Sequence, residues 1–115
     1  MHELSIALSI VEMAEEESRK HGAARVCAVH LRLGPLSGVV RGALESCFEM
    51  ACGDSSLAGS RLVIEDVPIV IHCPSCSAER PAVSMQQMEC SVCHTPADSV
   101  VHGRELEVVA LEIDS

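Results

Sequence analysis

Between Leu4 and His21 the apolar positions Leu4, Ala7, Val11 and Ala14, flanked by Ile6, Ile10 and Met13, recur at the helical period. This pattern predicts an amphipathic helix. Its tail, Glu15-Glu16-Glu17-Ser18-Arg19-Lys20, reads as a solvated face with i,i+4 pairs Glu15–Arg19 and Glu16–Lys20, and Gly22 as its stop. From Arg25 to Leu33 the period changes to two. Cys27, Val29, Leu31 and Leu33 alternate with Val26, Ala28, His30 and Arg32, a strand with one well-buried face, and His30 in it reads as structural. Gly34-Pro35 breaks that strand. Ser37 is placed to cap a second helix, buried through Val40, Leu44, Cys47, Phe48 and Ala51 and ended by Gly53. Arg61 to Val67 is a second strand, closed by Pro68, and strand–helix–strand at this length predicts a right-handed crossover between parallel neighbours. Arg104 to Ile113 is strand-like again and is expected to return to the same sheet.

The stretch from Ile69 to Gly103 follows neither period. It holds Pro74, Pro81 and Pro96, few large apolar residues and four clustered cysteines, too little core to fold alone. The expected fold class is therefore α+β: two helices on a small three-stranded mixed sheet, with an inserted four-cysteine zinc-ribbon module. Residues 1–68 plus 104–115 form the main domain and residues 69–103 the metal module.

Cys73-Pro-Ser-Cys76 and Cys90-Ser-Val-Cys93 are the strongest chemical signal. Each two-residue spacer lets a tight turn present both sulfurs to one side, and thirteen intervening residues suit a short hairpin. Four thiolates converging on one tetrahedral ion make a closed zinc site with no position open to substrate. Two disulfides, a redox dithiol or a rubredoxin-like iron site are the competing readings of the same spacing.

Composition narrows the function classes. Of 115 residues 48% are hydrophobic, yet Phe48 is the only aromatic, so the core must be aliphatic and metal binding can supply missing folding energy. The formal charge of −9 repels phosphate backbones and anionic membranes and favours cations or basic protein surfaces. Neither nucleic acid nor a membrane is expected as a partner. A zinc-ribbon adaptor for nucleic acid would need a basic, aromatic-bearing face, and the chain has neither. The opening residues read as neither a signal peptide nor a span, and seven cysteines, an odd number, fit a reducing cytoplasm. Cys27, Cys47 and Cys52 fall in apolar patterns as small core residues. Phosphate loops, a Ser-His-Asp context and His-Glu-x-x-His are all missing, so no enzyme is indicated.

What remains is Met1-His2-Glu3. A bulky His2 is expected to spare the initiator methionine, leaving its α-amine free. Amine, His2 amide and imidazole Nδ1 then lie in one plane through fused chelate rings, a tetragonal nitrogen set suited to Ni²⁺ or Cu²⁺. The Glu3 amide, His94 or His102 could complete the plane. A solvated His2 is the plain alternative.

Met1-His2-Glu3-Leu4-Ser5 opening a helix, Gly34-Pro35-Leu36-Ser37-Gly38-Val39 between strand and helix, and the cysteine pairs 73/76 and 90/93 together resemble the HypA/HybF hydrogenase maturation proteins over nearly the whole chain. The resemblance implies a nickel metallochaperone for [NiFe] hydrogenase assembly. It implies nickel at Met1 and His2, with Glu3 contributing its amide or aiding transfer, and structural zinc on Cys73, Cys76, Cys90 and Cys93. It also implies the HypB GTPase and the hydrogenase large subunit as partners, with urease as a client in some members. A homodimer is left open, as are the roles of His72 and His94, whose expected places are around the zinc thiols or in solvent.

Overall fold

The computed structural model describes residues 2–53 and 55–114. Its elements in chain order are α1 (His2–Lys20), β1 (Arg25–Leu33), a 3-10 turn (Pro35–Ser37), α2 (Arg41–Cys52), β2 (Arg61–Asp66), β3 (Val70–Cys73), β4 (Ala78–Pro81), β5 (Ser99–His102) and β6 (Leu106–Asp114). Two units divide the chain. One comprises Met1–Leu31, Val39–Glu65 and Glu107–Ser115, the other Arg32–Gly38 and Asp66–Leu106.

In the first unit, α1 and α2 pack together over a small mixed sheet of order β2-β1-β6. The expected return of the last strand to this sheet is met, next to β1. Ala7, Ile10, Val11 and Ala14 of α1 meet Val26, Val29 and Leu31 of β1 and Leu44, Cys47, Phe48 and Cys52 of α2 in one core. As the central strand, β1 is buried on both faces, Val26 and Ala28 as fully as Val29 and Leu31, which corrects the expectation of a single buried face. The outward His30 has its structural role: its Nε2 lies 2.6 Å from Glu112 of β6, whose carboxylate also meets Arg61 of β2 at 3.6 Å. This hydrogen bond holds the Glu112 carboxyl below the usual carboxylate range.

The end of α1 follows its sequence. Gly22 takes a left-handed φ of 73°, so its N–H reaches the Arg19 carbonyl and that of Ala23 reaches Ser18, a Schellman closure. The charged tail pairs differently from expectation. Lys20 bonds Glu17 at 3.3 Å, and Glu15 accepts from the Ser56 hydroxyl. Ser56 belongs to the loop after α2, whose Leu57 is fully buried. That loop is fastened by Arg25 to the Ala58 carbonyl and by the Ser60 hydroxyl to the Val26 carbonyl.

Ser37 does not cap α2. It ends the 3-10 turn, and α2 starts after Val40, an N-cap residue whose side chain bonds nothing. The Val40 N–H instead donates to the Glu3 carboxylate at 3.2 Å, so an anion from α1 takes the place of a local cap.

In the second unit β3 lies between β4 and β5, antiparallel to both, with Cys73 opposite Ala78 and His72 opposite Ser99. One buried cluster of this unit is Ile71, Cys73 and Cys90, with Ile69, Cys76, Ala82, Met88, Ala97 and Val100 packed around them. The Gly34-Pro35-Leu36 segment is stitched to 103–105: Gly34 N–H donates to the Glu105 carbonyl at 2.8 Å and Leu36 N–H to the Gly103 carbonyl at 2.7 Å. The Glu105 carboxylate closes this turn by accepting from Gly103 N–H at 2.7 Å and pairing with His102 Nδ1 at 2.9 Å. Those two bonds, the backbone one first, pull its carboxyl down to about 2.

Candidate metal centre

Cys73 ends β3 and Cys76 sits in the turn that leads to β4. Cys90 lies in a lone bridge to Ala82, and Cys93 in the turn beyond it. The two knuckles have the same local build. In each, a backbone N–H inside the turn donates to the first sulfur, Cys76 N–H to Cys73 and Val92 N–H to Cys90, both at 3.3 Å. In each, the residue after the second cysteine turns left-handed, Ser77 at φ 53° and His94 at φ 61°. That turn sends the chain away while both sulfurs face inward. Ser and His carry a steric cost there that glycine would not.

The four sulfurs lie within 4.8 Å of one another. Cys73–Cys93 is 3.5 Å, Cys76–Cys93 3.7 Å and Cys76–Cys90 4.0 Å. A tetrahedron with metal–sulfur bonds of about 2.3 Å has edges of about 3.8 Å, so the spacing matches a tetrahedral thiolate site. A disulfide needs about 2.05 Å, and all seven cysteines are free. The paired-disulfide reading is set aside.

Electrostatics point the same way. The Thr95 hydroxyl, 3.2 Å from the Cys93 sulfur, together with the Thr95 N–H, draws the Cys93 thiol down to about 6. Cys76, sharing hydrogen bonds with Cys93 and Cys73, is pushed up to about 11. Four adjacent thiolates repel one another, so protons must stay on some of them unless a cation takes their place. A four-cysteine site capable of holding a metal is the result. Cys73 and Cys90 are buried, Cys76 is partly covered and Cys93 is exposed, so the site is reached from one side. Four protein sulfurs would fill a tetrahedral shell and leave no position open to substrate.

The histidines near the thiols are engaged elsewhere. His72 Nδ1 is 2.8 Å from Asp98 and His94 Nδ1 is 3.3 Å from Glu89. Thr95 and the left-handed Ser77 and His94 escaped sequence reasoning. The one available signal was the repeated need for a turn just beyond each second cysteine.

Of the three N-terminal candidates, Met1 lies outside the described residues. His2 is exposed and is the first residue of α1, which therefore begins two residues earlier than the apolar pattern suggested. Amides of a first helical turn have no partner within the helix, so the His2 nitrogen can deprotonate without breaking a helical bond. Glu3 is half-buried, and its bond from Val40 lowers its carboxyl below the usual range. That keeps an anion beside His2. Among the described residues no helix is long and apolar enough to cross a membrane.

The family model described as "Hydrogenase/urease nickel incorporation, metallochaperone, hypA" matches residues 1–113. A hydrogenase maturation factor HypA of Chloroflexus aurantiacus is 48% identical over 112 residues, covering 97% of this chain and 98% of its own. That of Roseiflexus sp. strain RS-1 is 46% identical over 114 residues, covering 99% and 93%. Among solved structures, a HypA protein in solution superposes with a TM-score of 0.70 at 25% identity, covering 98% of this chain and 96% of that one. The nickel metallochaperone HypA of Helicobacter pylori reaches 0.63 at 24% identity, covering 96% of each chain, and shows likeness of fold. Matched along nearly its whole length, and carrying the four-cysteine site on a two-helix mixed-sheet fold, this chain belongs to the HypA family of nickel-incorporation metallochaperones for hydrogenase maturation.

Proposed function

We propose that the chain binds Ni²⁺ through the Met1 amine, the His2 amide and the His2 imidazole, and delivers it to the large subunit of a [NiFe] hydrogenase with the HypB GTPase as co-worker. The observation that carries this reading is an exposed His2 at the first position of α1, one residue before a carboxylate anchored on the start of α2. An anchored Glu3 holds negative charge near the cation and offsets the positive end of α1's own dipole. Nitrogen ligands on a chain end exchange readily, so nickel can be surrendered when a partner offers a better donor set. The four-cysteine site holds Zn²⁺ and keeps the second unit folded. The work is that of a carrier and not a catalyst, carried out in the cytoplasm.

Two measurements test the reading. His2→Ala is expected to cost more than ~100-fold in nickel affinity, beyond what loss of a mere supporting group costs, with zinc content and helicity unchanged. One residue added before Met1 should do the same without altering any side chain. Calorimetric titrations showing full-strength nickel binding in both would eliminate the N-terminal site. Second, amine and imidazole must be deprotonated to bind, so nickel affinity is expected to fall steeply from pH about 7.5 to about 5.5. A flat profile would show that neither nitrogen is a ligand.

A further inference from the structure

We propose that the outer edge of β6 accepts an extended, basic segment of a partner protein as an additional strand. In the order β2-β1-β6, one side of β6 pairs with β1, and among the described residues no strand lies on the other. Backbone N–H and C=O groups on such a side are a template for another chain. Natural edges are blunted with proline, charged side chains (lysine above all), bulges or short length, and the charges of β6 flank an uncharged run from Val108 to Leu111. The nine residues Leu-Glu-Val-Val-Ala-Leu-Glu-Ile-Asp contain no proline, glycine or lysine. Val109 at mid-strand is 52% exposed, and Ala110 beside it is also exposed.

The edge adjoins a groove of about 350 Å³ between α1 and β6, lined by Met13, Glu17 and His21 on one side and by Val109, Leu111 and Ile113 on the other. An added strand places alternate side chains into such a groove while its backbone supplies the pairing.

Charge selects the occupant. Neither β6 nor the groove lining carries a lysine or arginine, whereas Glu17, Glu107, Glu112 and Asp114 are present and the chain as a whole carries −9. A second copy would set this acidic strand against itself, with like charges opposed across the pair. A segment alternating apolar and basic residues meets complementary charge along its length. Glu112 is already held by His30 and Arg61 and Glu17 by Lys20, so the attraction is that of the whole acidic surface and not of one ion pair. Nothing in this proposal depends on where nickel binds, and its failure would leave the N-terminal reading untouched.

The probe is a synthetic peptide of alternating lysine and valine, titrated into the ¹⁵N-labelled full chain, with a control peptide of the same composition but lysines and valines in separate blocks. Amide shifts and slowed exchange are expected at 107–114 and along 13–21 with the alternating peptide, weakening as salt is raised. Val109→Lys should lower its affinity at least ~10-fold by placing like charge on the edge. The melting temperature should hold, because that side chain is exposed. Equal binding of the block peptide, shifts centred elsewhere, or no shifts at millimolar peptide would each overturn the proposal. So would a concentration-dependent dimer in sedimentation that Val109→Lys dissolves, which would make the occupant a second copy.

Discussion

Cys73→Ser is expected to unfold the second unit while leaving the helical core of the first intact. The cluster around the sulfurs buries Ile71, Cys73 and Cys90, and two of the three are candidate metal ligands. Three four-residue strands around one isoleucine bury too little apolar surface to offset the ordering of a unit of 48 residues. Structural zinc is worth about 10–16 kcal/mol in small modules at neutral pH, and there it is the folding energy itself. Without the buried Cys73 sulfur, the zinc proposed for this site would keep three ligands and an open coordination position. Amide signals of 70–102 should collapse towards random-coil shifts, and chelation of the wild type should reproduce this. Signals of α1 and α2 should persist, because Ala7, Val26, Leu44 and Phe48 form a core of their own. Retained dispersion in 70–102 after chelation would show that the unit folds without metal.

Gly34→Ala is expected to cost about 3 kcal/mol, at the top of the overpacking range, because the obstruction is backbone. A Cβ at residue 34 would lie 2.1 Å from the Gly103 oxygen, 2.3 Å from its carbonyl carbon and 2.9 Å from the Arg104 nitrogen. None of these atoms can swing aside as a flexible side chain could. Moving the two segments apart would break the bonds from Gly34 to Glu105 and from Leu36 to Gly103. Gly38→Ala supplies the contrast. Its φ is +81°, but a Cβ there meets nothing within 4 Å, so the penalty is the left-handed backbone alone, about 1 kcal/mol. Urea midpoints of the two variants should differ clearly. Equal midpoints would mean that residues 34 and 103 can part enough to admit a methyl group at no extra cost.

Local pattern made much of the molecule readable. The wide stripe from Leu4 to Ala14 announced α1, and the switch to period two marked β1 with the same ends that are observed, Arg25 and Leu33. The four thiols were legible because covalent spacing within each knuckle does not depend on the rest of the chain. Other features arise from residues far apart in sequence, and no local window contains them. Glu3 caps α2 across thirty-seven residues, which is why Ser37 looked like the cap and was not. Alternation promised one well-buried face on β1, yet Val26 and Ala28 are as buried as Val29 and Leu31, since β1 is the middle strand and a pattern cannot say what covers its second face. Leu57 sits in a loop with no period and still ends fully buried.

The amino-acid order alone thus determined both helices and the strands β1, β2 and β6, the set of four clustered cysteines and the candidate nitrogens at His2 and its neighbours, because bond lengths, backbone sterics and short-range periodicity act within a few residues. Tertiary structure alone decided the strand order, the anchoring of Glu3 on Val40, the convergence of four sulfurs within 4.8 Å and the bare edge of β6. Those depend on which distant surfaces bury each other, and burial is a property of the whole fold and not of any segment.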